Sequence, residues 1–332
     1  MEVLERLAIG KNLSEDDALK SFRAMYKGEM PPSCVGAFLM GLKTKGETGL
    51  EIACGVKAAL EEARLVPGLT GNRIDTCGTG GDNTCSFNCS TGVALYLAAL
   101  GHKVVKHGNR SVSSTCGSAD IIESLGLGLT VEPEAVAGEL NKRNFVFLFA
   151  PNFHPAFKRI MPIRKELGAR TLFNLMGPLL NPARPTHQLL GVPTAGFVPL
   201  IGEALALTGV RNAAVVHGAG GFDELSPFGP AEVVWIRDGW TRRETLDPQT
   251  LGIPRHKLSE VAVASKDEAV AVLVELLEGH GPEAMKDMLA LNLGTCLHLL
   301  EDGLSLKQGV EKARDAVGSG LAAKFWNGQI NA

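Results

Sequence analysis

Up to about Val66 the apolar positions recur three and four residues apart, in three successive runs: LSEDDALKSFRAMYKG, PPSCVGAFLMGLKTKG and ETGLEIACGVKAALEEAR. Each reads as an amphipathic helix, with Ser14 as the candidate cap of the first, and no strand pattern interrupts them. From Arg73 the period changes. Short β-rich runs alternate with helical ones: RIDTC, STGVALYLAALG, HKVVKHG and SADIIESLG, then FVFLFA, HQLLGV, NAAVVHG and EVVWIR. That alternation predicts an α/β domain with a central, mostly parallel sheet flanked by helices. Between Gly168 and Pro185 the stretch TLFNLMGPLLNPARP breaks the rhythm and predicts a helical excursion back to the first helical layer. The C-terminal hundred residues read as mostly helical, through AVAVLVELLEG and LKQGVEKARDAVGSGLAAKFW.

Composition narrows the function class. The chain has 332 residues, 45% of them hydrophobic, enough for a large core or two unequal ones. With 33 basic and 36 acidic residues the net charge is −3, so no global positive field draws nucleic acid or an anionic membrane, and any polyanion site must be local. The start MEVLERLAIGKNLSEDD is acidic, and no apolar run reaches the roughly 20 residues of a membrane span, so a cytoplasmic protein is expected. Seven cysteines without a CxxC pair predict reduced thiols rather than a disulfide framework or zinc ribbon. Cys85 and Cys89, beside Cys77, lack a neighbouring histidine and read as small-residue filler.

Three loops carry candidate chemistry, each directly after a strand pattern. The first, CGTGGDNTCSFNCST from Cys77 to Thr91, is glycine-rich and ends where Ser90 and Thr91 open a helix. Unpaired N–H groups at a helix N-terminus, with hydroxyl donors and glycines that allow close approach, make a phosphate cradle. It matches neither GxxxxGK[ST] nor a clean GxGxxG, which argues against an NTPase or a dinucleotide dehydrogenase. The second, KHGNRSVSSTCGS from Lys106 to Ser118, combines two cations, an amide and five hydroxyls, as a lid over an anion would. The third, HGAGGFDELSP, offers Asp223 and Glu224 as vicinal hard-oxygen ligands for Mg²⁺. In a parallel sheet such loops converge beyond the carboxyl ends of the strands. A fourth segment, HPAFKRIMPIRKELGART, carries Lys158, Arg159, Arg164, Lys165 and Arg170; any one of them is able to fork onto a carboxylate, and periodicity does not choose among them.

The motifs GTGGD, NCST, KHGNRSVSS, the segment around HPAFKRIMPIRKELGARTLFNLMGPLLNPA, and DELS resemble, in order and spacing over essentially the whole chain, the anthranilate phosphoribosyltransferase family. That resemblance implies a small all-helical domain, residues 1–66 joined by the excursion at about 168–185, beside a larger α/β domain from 70–167 and 186–332. It implies a homodimer formed through the helical domain, where Phe38, Leu39 and Leu42 are expected to need a partner helix as cover. The implied substrates are phosphoribosyl pyrophosphate (PRPP) and anthranilate, and the implied step belongs to tryptophan biosynthesis, with no nucleic-acid or membrane partner. The resemblance assigns PRPP contacts to Gly78, Gly81 and Asp82, to Ser86 where threonine is usual, and to Asn88, Cys89, Ser90 and Thr91. Further PRPP contacts fall on Lys106, His107, Gly108, Asn109, Arg110, Ser111, Val112, Ser113 and Ser114, and on Ser118. Gly78, Asn109 and Arg164 are implied to contact anthranilate, and Ser90, Asp223 and Glu224 to hold Mg²⁺, two ions per subunit. The chain departs from the family pattern at Asn83 (usually glycine), Cys89 (usually aliphatic), Phe153 (often histidine) and in the residues after Asn292, and none of these removes a charged or metal-binding group.

Displacement at the anomeric carbon places positive charge on the ribose and negative charge on departing pyrophosphate, which calls for Mg²⁺, N–H donors and Lys106 at the leaving group. An aromatic amine is already a neutral nucleophile, so positioning carries the acceleration and no general base is expected; His107 and His154 read as structural or substrate-lining. Two other readings share the architecture. A pyrimidine nucleoside phosphorylase would carry its own lysine, serine and glycine signature, which this sequence lacks. A non-catalytic nucleic-acid-binding relative would lose the acidic pair and gain basic surface, whereas DE is present and the net charge is −3.

Overall fold

The computed structural model describes residues 2–80, 87–110, 117–129 and 132–330. Four helices come first: α1 (Glu2–Ala8), α2 (Glu15–Lys27), α3 (Pro32–Lys45) and α4 (Gly49–Glu61). Ser14 caps α2 by accepting from the Asp17 N–H at 3.2 Å, and Gly28 ends it in the left-handed region at φ 78°. Thr48 and Glu51 form a reciprocal capping box on α4. Phe22, Phe38, Leu39 and Leu42 are fully buried in one apolar cluster within this layer. The expectation that Phe38, Leu39 and Leu42 need a partner chain for cover is therefore corrected: α1, Phe22 of α2 and the later helix α9 (Phe157–Leu167) pack against α3 and supply it.

The sheet has seven strands. β1 (Ile74–Gly78), β2 (Val104–Gly108), β3 (Phe145–Phe149), β4 (His187–Gly191) and β5 (Asn212–His217) are parallel; β6 (Ala231–Arg237) and β7 (Trp240–Leu246) run antiparallel on one edge. In space their order is β3-β2-β1-β4-β5-β6-β7. The pattern of apolar positions does not predict β7, because WTRRETL is an exposed edge strand with charged side chains; its signal is the Asp238-Gly239 turn that closes a hairpin on β6. From β1 the chain steps outward to β2 and β3, then returns to the other side of β1 with β4. The reversal makes a crevice at the carboxyl ends of β1 and β4.

On one face, α5 (Cys89–Ala99) is buried nearly all round, beneath the later helices α12 (Lys266–Leu277), α13 (Glu283–Leu300), α14 (Leu306–Gly318) and α15 (Leu321–Ile330). Two short helices, α6 (Ser118–Ser124) and α7 (Val136–Arg143), connect β2 to β3. After β3 come α8 (Ala150–Phe153), then α9, α10 (Phe173–Met176) and a 3₁₀ turn (Gly177–Leu180). Of these, α9 packs on α2 and α3, while α10 and the 3₁₀ turn pack on α4. Helix α11 (Phe197–Ala206) covers β5 and β6 and is itself covered by α4, so one continuous apolar cluster runs from Leu7 and Phe22 to Leu190, Val215 and Ile236. Among the described residues no helix is long and apolar enough to cross a membrane.

Candidate active site

The crevice at the strand ends exists because side chains are missing there. β1, β2 and β4 each end in glycine, and Gly78 pairs in register with Gly191. A Cβ on Gly191 would fall 1.3 Å from the Asp223 carbonyl oxygen, and one on Gly78 would fall 2.2 Å from Asp223 Oδ2. The loop after β5 thus lies directly across the ends of β1 and β4. The Gly80 N–H donates to Asp223 Oδ2 at 3.0 Å, joining the glycine-rich loop to the acidic one. At Gly108 a Cβ would meet Ser118 Oγ at 2.3 Å, so Ser118, the first residue of α6, sits over the end of β2.

Thr76, Ser90, Gly191, Asp223, Glu224 and Asn292 line one small cavity at this point. Lys106 reaches its edge from β2: its Nζ, buried with the rest of the side chain, donates to the Thr76 carbonyl at 2.6 Å and to Ser90 Oγ at 3.2 Å. Thr76 Oγ1 in turn donates to the Ser90 carbonyl at 2.8 Å, tying β1 to the start of α5. Asn88 takes the left-handed conformation at φ 62° before α5, and its Oδ1 accepts from Thr91 Oγ1 at 2.5 Å. Thr91 and Cys89 are therefore buried helix-start residues, Cys89 with its thiol toward the Met288 carbonyl at 3.9 Å, while Ser90 is the hydroxyl facing the cavity.

Behind Lys106 lies a buried carboxylate that the sequence reading missed. Asp75 accepts from Asn181 Nδ2 at 2.8 Å and from the His107 N–H at 3.3 Å, and Asn181 also donates to the Val105 carbonyl at 2.7 Å. Burial pushes the Asp75 carboxyl up to about 6, although Lys106, Asn181 and the His107 N–H favour its charged form. Burial likewise lowers Lys106 from its usual range, with Asp75 opposing the shift. The mid-chain excursion thus reaches the site through Asn181.

An aromatic wall leads from this corner to the helical layer. His107 meets His154 edge-on with ring centroids 5.3 Å apart; His154 stacks on Phe157 at 5.3 Å; Phe157 contacts Tyr26 at 5.6 Å and Phe173 at 5.4 Å. Arg164 lies over the Phe173 ring at 4.8 Å and makes no ion pair with a carboxylate among the described residues. Burial lowers its guanidinium from its ordinary value. Burial also holds His107 well below the usual imidazole range and His154 at about 4, so both rings are neutral at pH 7. Lys158, Lys165 and Arg170 are exposed, and Arg159 donates to the Lys27 carbonyl at 2.9 Å.

The remaining candidates after β2 divide. Asn109 is exposed, and its Oδ1 accepts from the Arg110 N–H at 2.8 Å, leaving Nδ2 as its side-chain donor. The Arg110 guanidinium forks onto Glu123 at 2.6 and 2.7 Å, so it is already engaged by α6. Gly81, Asp82, Ser86, Ser111, Val112, Ser113 and Ser114 lie outside the described residues. Gly191 and Asn292 also line the cavity, although the sequence reading gave them no role there. A signal for Gly191 exists in HQLLG, which ends in glycine as IDTCG and VVKHG do.

Residues 1–63 match the model of a glycosyl transferase family's helical bundle domain, and residues 70–323 match the glycosyl transferase family a/b domain. The chain is 54% identical over 327 residues to an anthranilate phosphoribosyltransferase of Nitratidesulfovibrio vulgaris (strain DSM 19637 / Miyazaki F), covering 97% of each protein. Its fold is similar to the crystal structure of anthranilate phosphoribosyltransferase from Thermus thermophilus, with a TM-score of 0.91 at 37% identity over 100% of this chain and 99% of that one. It is also similar to the Saccharomyces cerevisiae anthranilate phosphoribosyltransferase in complex with PRPP and Mg, with a TM-score of 0.87 at 28% identity over 99% of this chain and 96% of that one.

Proposed function

The chain belongs to the anthranilate phosphoribosyltransferase family, and from that premise we infer how its own residues divide the work. The protein transfers the 5-phosphoribosyl group of PRPP to the amine of anthranilate, giving N-(5-phosphoribosyl)anthranilate and pyrophosphate, in tryptophan biosynthesis. The observation that carries this reading is the convergence of Ser90, Lys106 and the Asp223-Glu224 loop on the crevice between β1 and β4. Loss of anthranilate fluorescence on mixing with PRPP and Mg²⁺ tests it; fluorescence that stays constant overturns it.

The leaving-group side is the cavity. Asp223, Glu224 and Ser90 bring two carboxylates and a hydroxyl to a cavity that Cys77, Val93, Leu189 and Val216 also line; these hard oxygens are too few to complete a coordination shell, which suits a Mg²⁺ ion that takes its remaining ligands from substrate and water. Asp223, Glu224 and Ser90 would hold the metal, two ions per subunit. When bound, Mg²⁺ neutralises charge that accumulates on departing pyrophosphate. Lys106 adds a fixed positive charge at the same end, held in place by Thr76 and Ser90. The N-terminus of α5 presents backbone N–H groups to the phosphates.

The acceptor side is the aromatic wall. Anthranilate lies against His107, His154 and Phe157 with its carboxylate on Arg164 and Asn109, an arrangement supported by the Arg164 guanidinium having no competing carboxylate among the described residues. The amine nitrogen then faces the anomeric carbon. Burial makes both imidazoles weak bases, so acceleration comes from holding nucleophile and leaving group in line; the bond to pyrophosphate breaks as the nitrogen–carbon bond forms, and the amine proton passes to water or to the departing pyrophosphate.

Residues 1–66 with 168–185 act as one domain and 70–167 with 186–332 as the other, a division supported by the packing of α10 and the 3₁₀ turn on α4. The protein works as a homodimer through the helical layer. With Phe38, Leu39 and Leu42 already covered, the surface available to a partner includes Ile9, which is 68% exposed, and the half-buried Val3, Leu4 and Met40. Sedimentation as a monomer at micromolar concentration would contradict the dimer. A cytoplasmic setting is supported by the free, buried thiols of Cys54, Cys89 and Cys296.

A further inference from the structure

We propose that Asn292 is the positioning residue of the acidic loop, acting on bound metal through Leu225 without touching the metal itself; the proposal rests on the assignment of Asp223 and Glu224 as the metal's carboxylates. Asn292 lies in α13 and is 1% exposed. Its Oδ1 accepts from the Leu225 N–H at 3.0 Å, and its Nδ2 donates to the Leu225 carbonyl at 2.7 Å and to the Met288 carbonyl at 2.8 Å. One side-chain amide therefore satisfies both backbone groups of the residue that follows Glu224, as a neighbouring strand would, and its third bond fixes the amide to its own helix. Leu225 and Ser226 are fully buried, so no water replaces these bonds.

The rest of the loop is fixed at different points. The Gly218 N–H donates to the Phe222 carbonyl at 2.9 Å, and Ser226 Oγ donates to the Ala219 carbonyl at 2.6 Å, closing the loop on itself. Those bonds set the loop's internal shape. The Asn292 clamp ties the backbone beside Glu224 to the helical face of the domain, while Gly191 and Gly80 hold the Asp223 side toward the sheet. The two carboxylates are thus anchored from opposite sides of the cavity, Asp223 by strand ends and Glu224 by α13. An amide is the group that performs this task, because a carboxylate lacks the donor for the Leu225 carbonyl and would set a like charge beside Glu224.

Mn²⁺ replaces Mg²⁺ as an observable probe. Free Mn²⁺ is titrated by electron paramagnetic resonance in the presence of PRPP with wild type, Asn292→Ala, Asn292→Asp, and the double variant Asp223→Asn with Glu224→Gln. Both Asn292 variants are expected to raise the Mn²⁺ dissociation constant at least about fivefold. Turnover should recover toward wild type at high Mg²⁺, and the anthranilate KM should stay within about twofold. A folded Asn292 variant with wild-type Mn²⁺ affinity overturns the proposal, as does a loss that high Mg²⁺ does not relieve. If the double variant also binds Mn²⁺ with PRPP as wild type does, it is the metal assignment that fails. Hydrogen exchange on the wild-type protein gives a test independent of any variant: the Leu225 amide should exchange among the slowest in segment 217–227 without substrate or metal, and rapid exchange there would overturn the clamp.

Discussion

Gly78 at the end of β1 and Gly191 at the end of β4 stand opposite each other in the parallel register, and Asp223 rests across the space their missing side chains leave. The two contacts differ in kind. At Gly191 the neighbour is the Asp223 backbone; at Gly78 it is the Asp223 carboxylate, which can rotate away. Gly191→Ala should therefore displace the whole acidic loop and lower kcat/KM by about 100-fold or more, the size expected when reacting groups shift by an ångström. Gly78→Ala should cost less. Steady-state kinetics on both variants checks the ranking, and equal losses would show that the backbone contact is not the controlling one.

Asp223→Asn combined with Glu224→Gln removes two charges from a partly desolvated site. Metal–PRPP binding and leaving-group stabilisation are expected to fall together by roughly 4 kcal/mol, about 1000-fold in rate. Near wild-type turnover at saturating Mg²⁺ would sink the assignment.

Arg164 stacks on Phe173 with no carboxylate partner among the described residues, so its removal leaves no acidic group newly stranded there. Arg164→Ala should cut efficiency with anthranilate by roughly 30-fold or more, the equivalent of about 2 kcal/mol or more for a charge-assisted contact. PRPP affinity should hardly change. Equal loss for both substrates would instead make Arg164 a phosphate contact or a structural residue, and unchanged kinetics would move the carboxylate to Arg170 or Lys165.

Stability should decline on acidification from pH 7 to pH 5. Burial lowers His102, His107, His154 and His187 in the folded chain, His154 and His187 to about 4, whereas the unfolded chain protonates its histidines near 6.5. A depressed folded value gives stability that is present above the unfolded pKa and is lost as pH falls through the window. Asp75 works in the opposite sense: raised to about 6, it favours the folded state as pH falls from 6 toward 4, and so offsets part of the loss. Urea midpoints at pH 7, 6 and 5 should fall in that order. His187→Gln, at the start of β4 and so at the far end of the strand from the crevice, should flatten the trend without changing kinetics; a midpoint that rises toward pH 5 would reverse the histidine argument.

The alternation of apolar periods made the β1 to β6 runs and the helical layers legible, because each parallel strand is a short buried run bounded by glycine or by a helix start. β7 was not legible, since its outward charges follow solvent exposure rather than a core. The loops were visible as chemistry, but their residues' roles came from family resemblance, and the protein partners that hold some of them were not visible: Glu123 for Arg110, and Asn88 for Thr91. The buried asparagines were the least legible part. Asn181 and Asn292 sit in segments without charge or glycine richness, and what matters about them is a hydrogen-bonding pattern across 76 and 67 residues of chain. No local pattern encodes such distance.

The apolar cluster that begins at Leu7 and ends on Val215 and Ile236 also constrains how the chain is made. During synthesis, helices α1 to α4 leave the ribosome well before α11 and α10, against which α4 packs, and before α9, which packs on α2 and α3. The N-terminal segment must therefore persist with an uncovered greasy side until more than a hundred further residues have emerged. A nascent chain stalled near residue 100 should be protease-sensitive and chaperone-bound, whereas one extended past β6 should not. For the same reason, cutting the gene between the two family-model segments should yield two insoluble fragments rather than two separable modules, unless both halves are produced together.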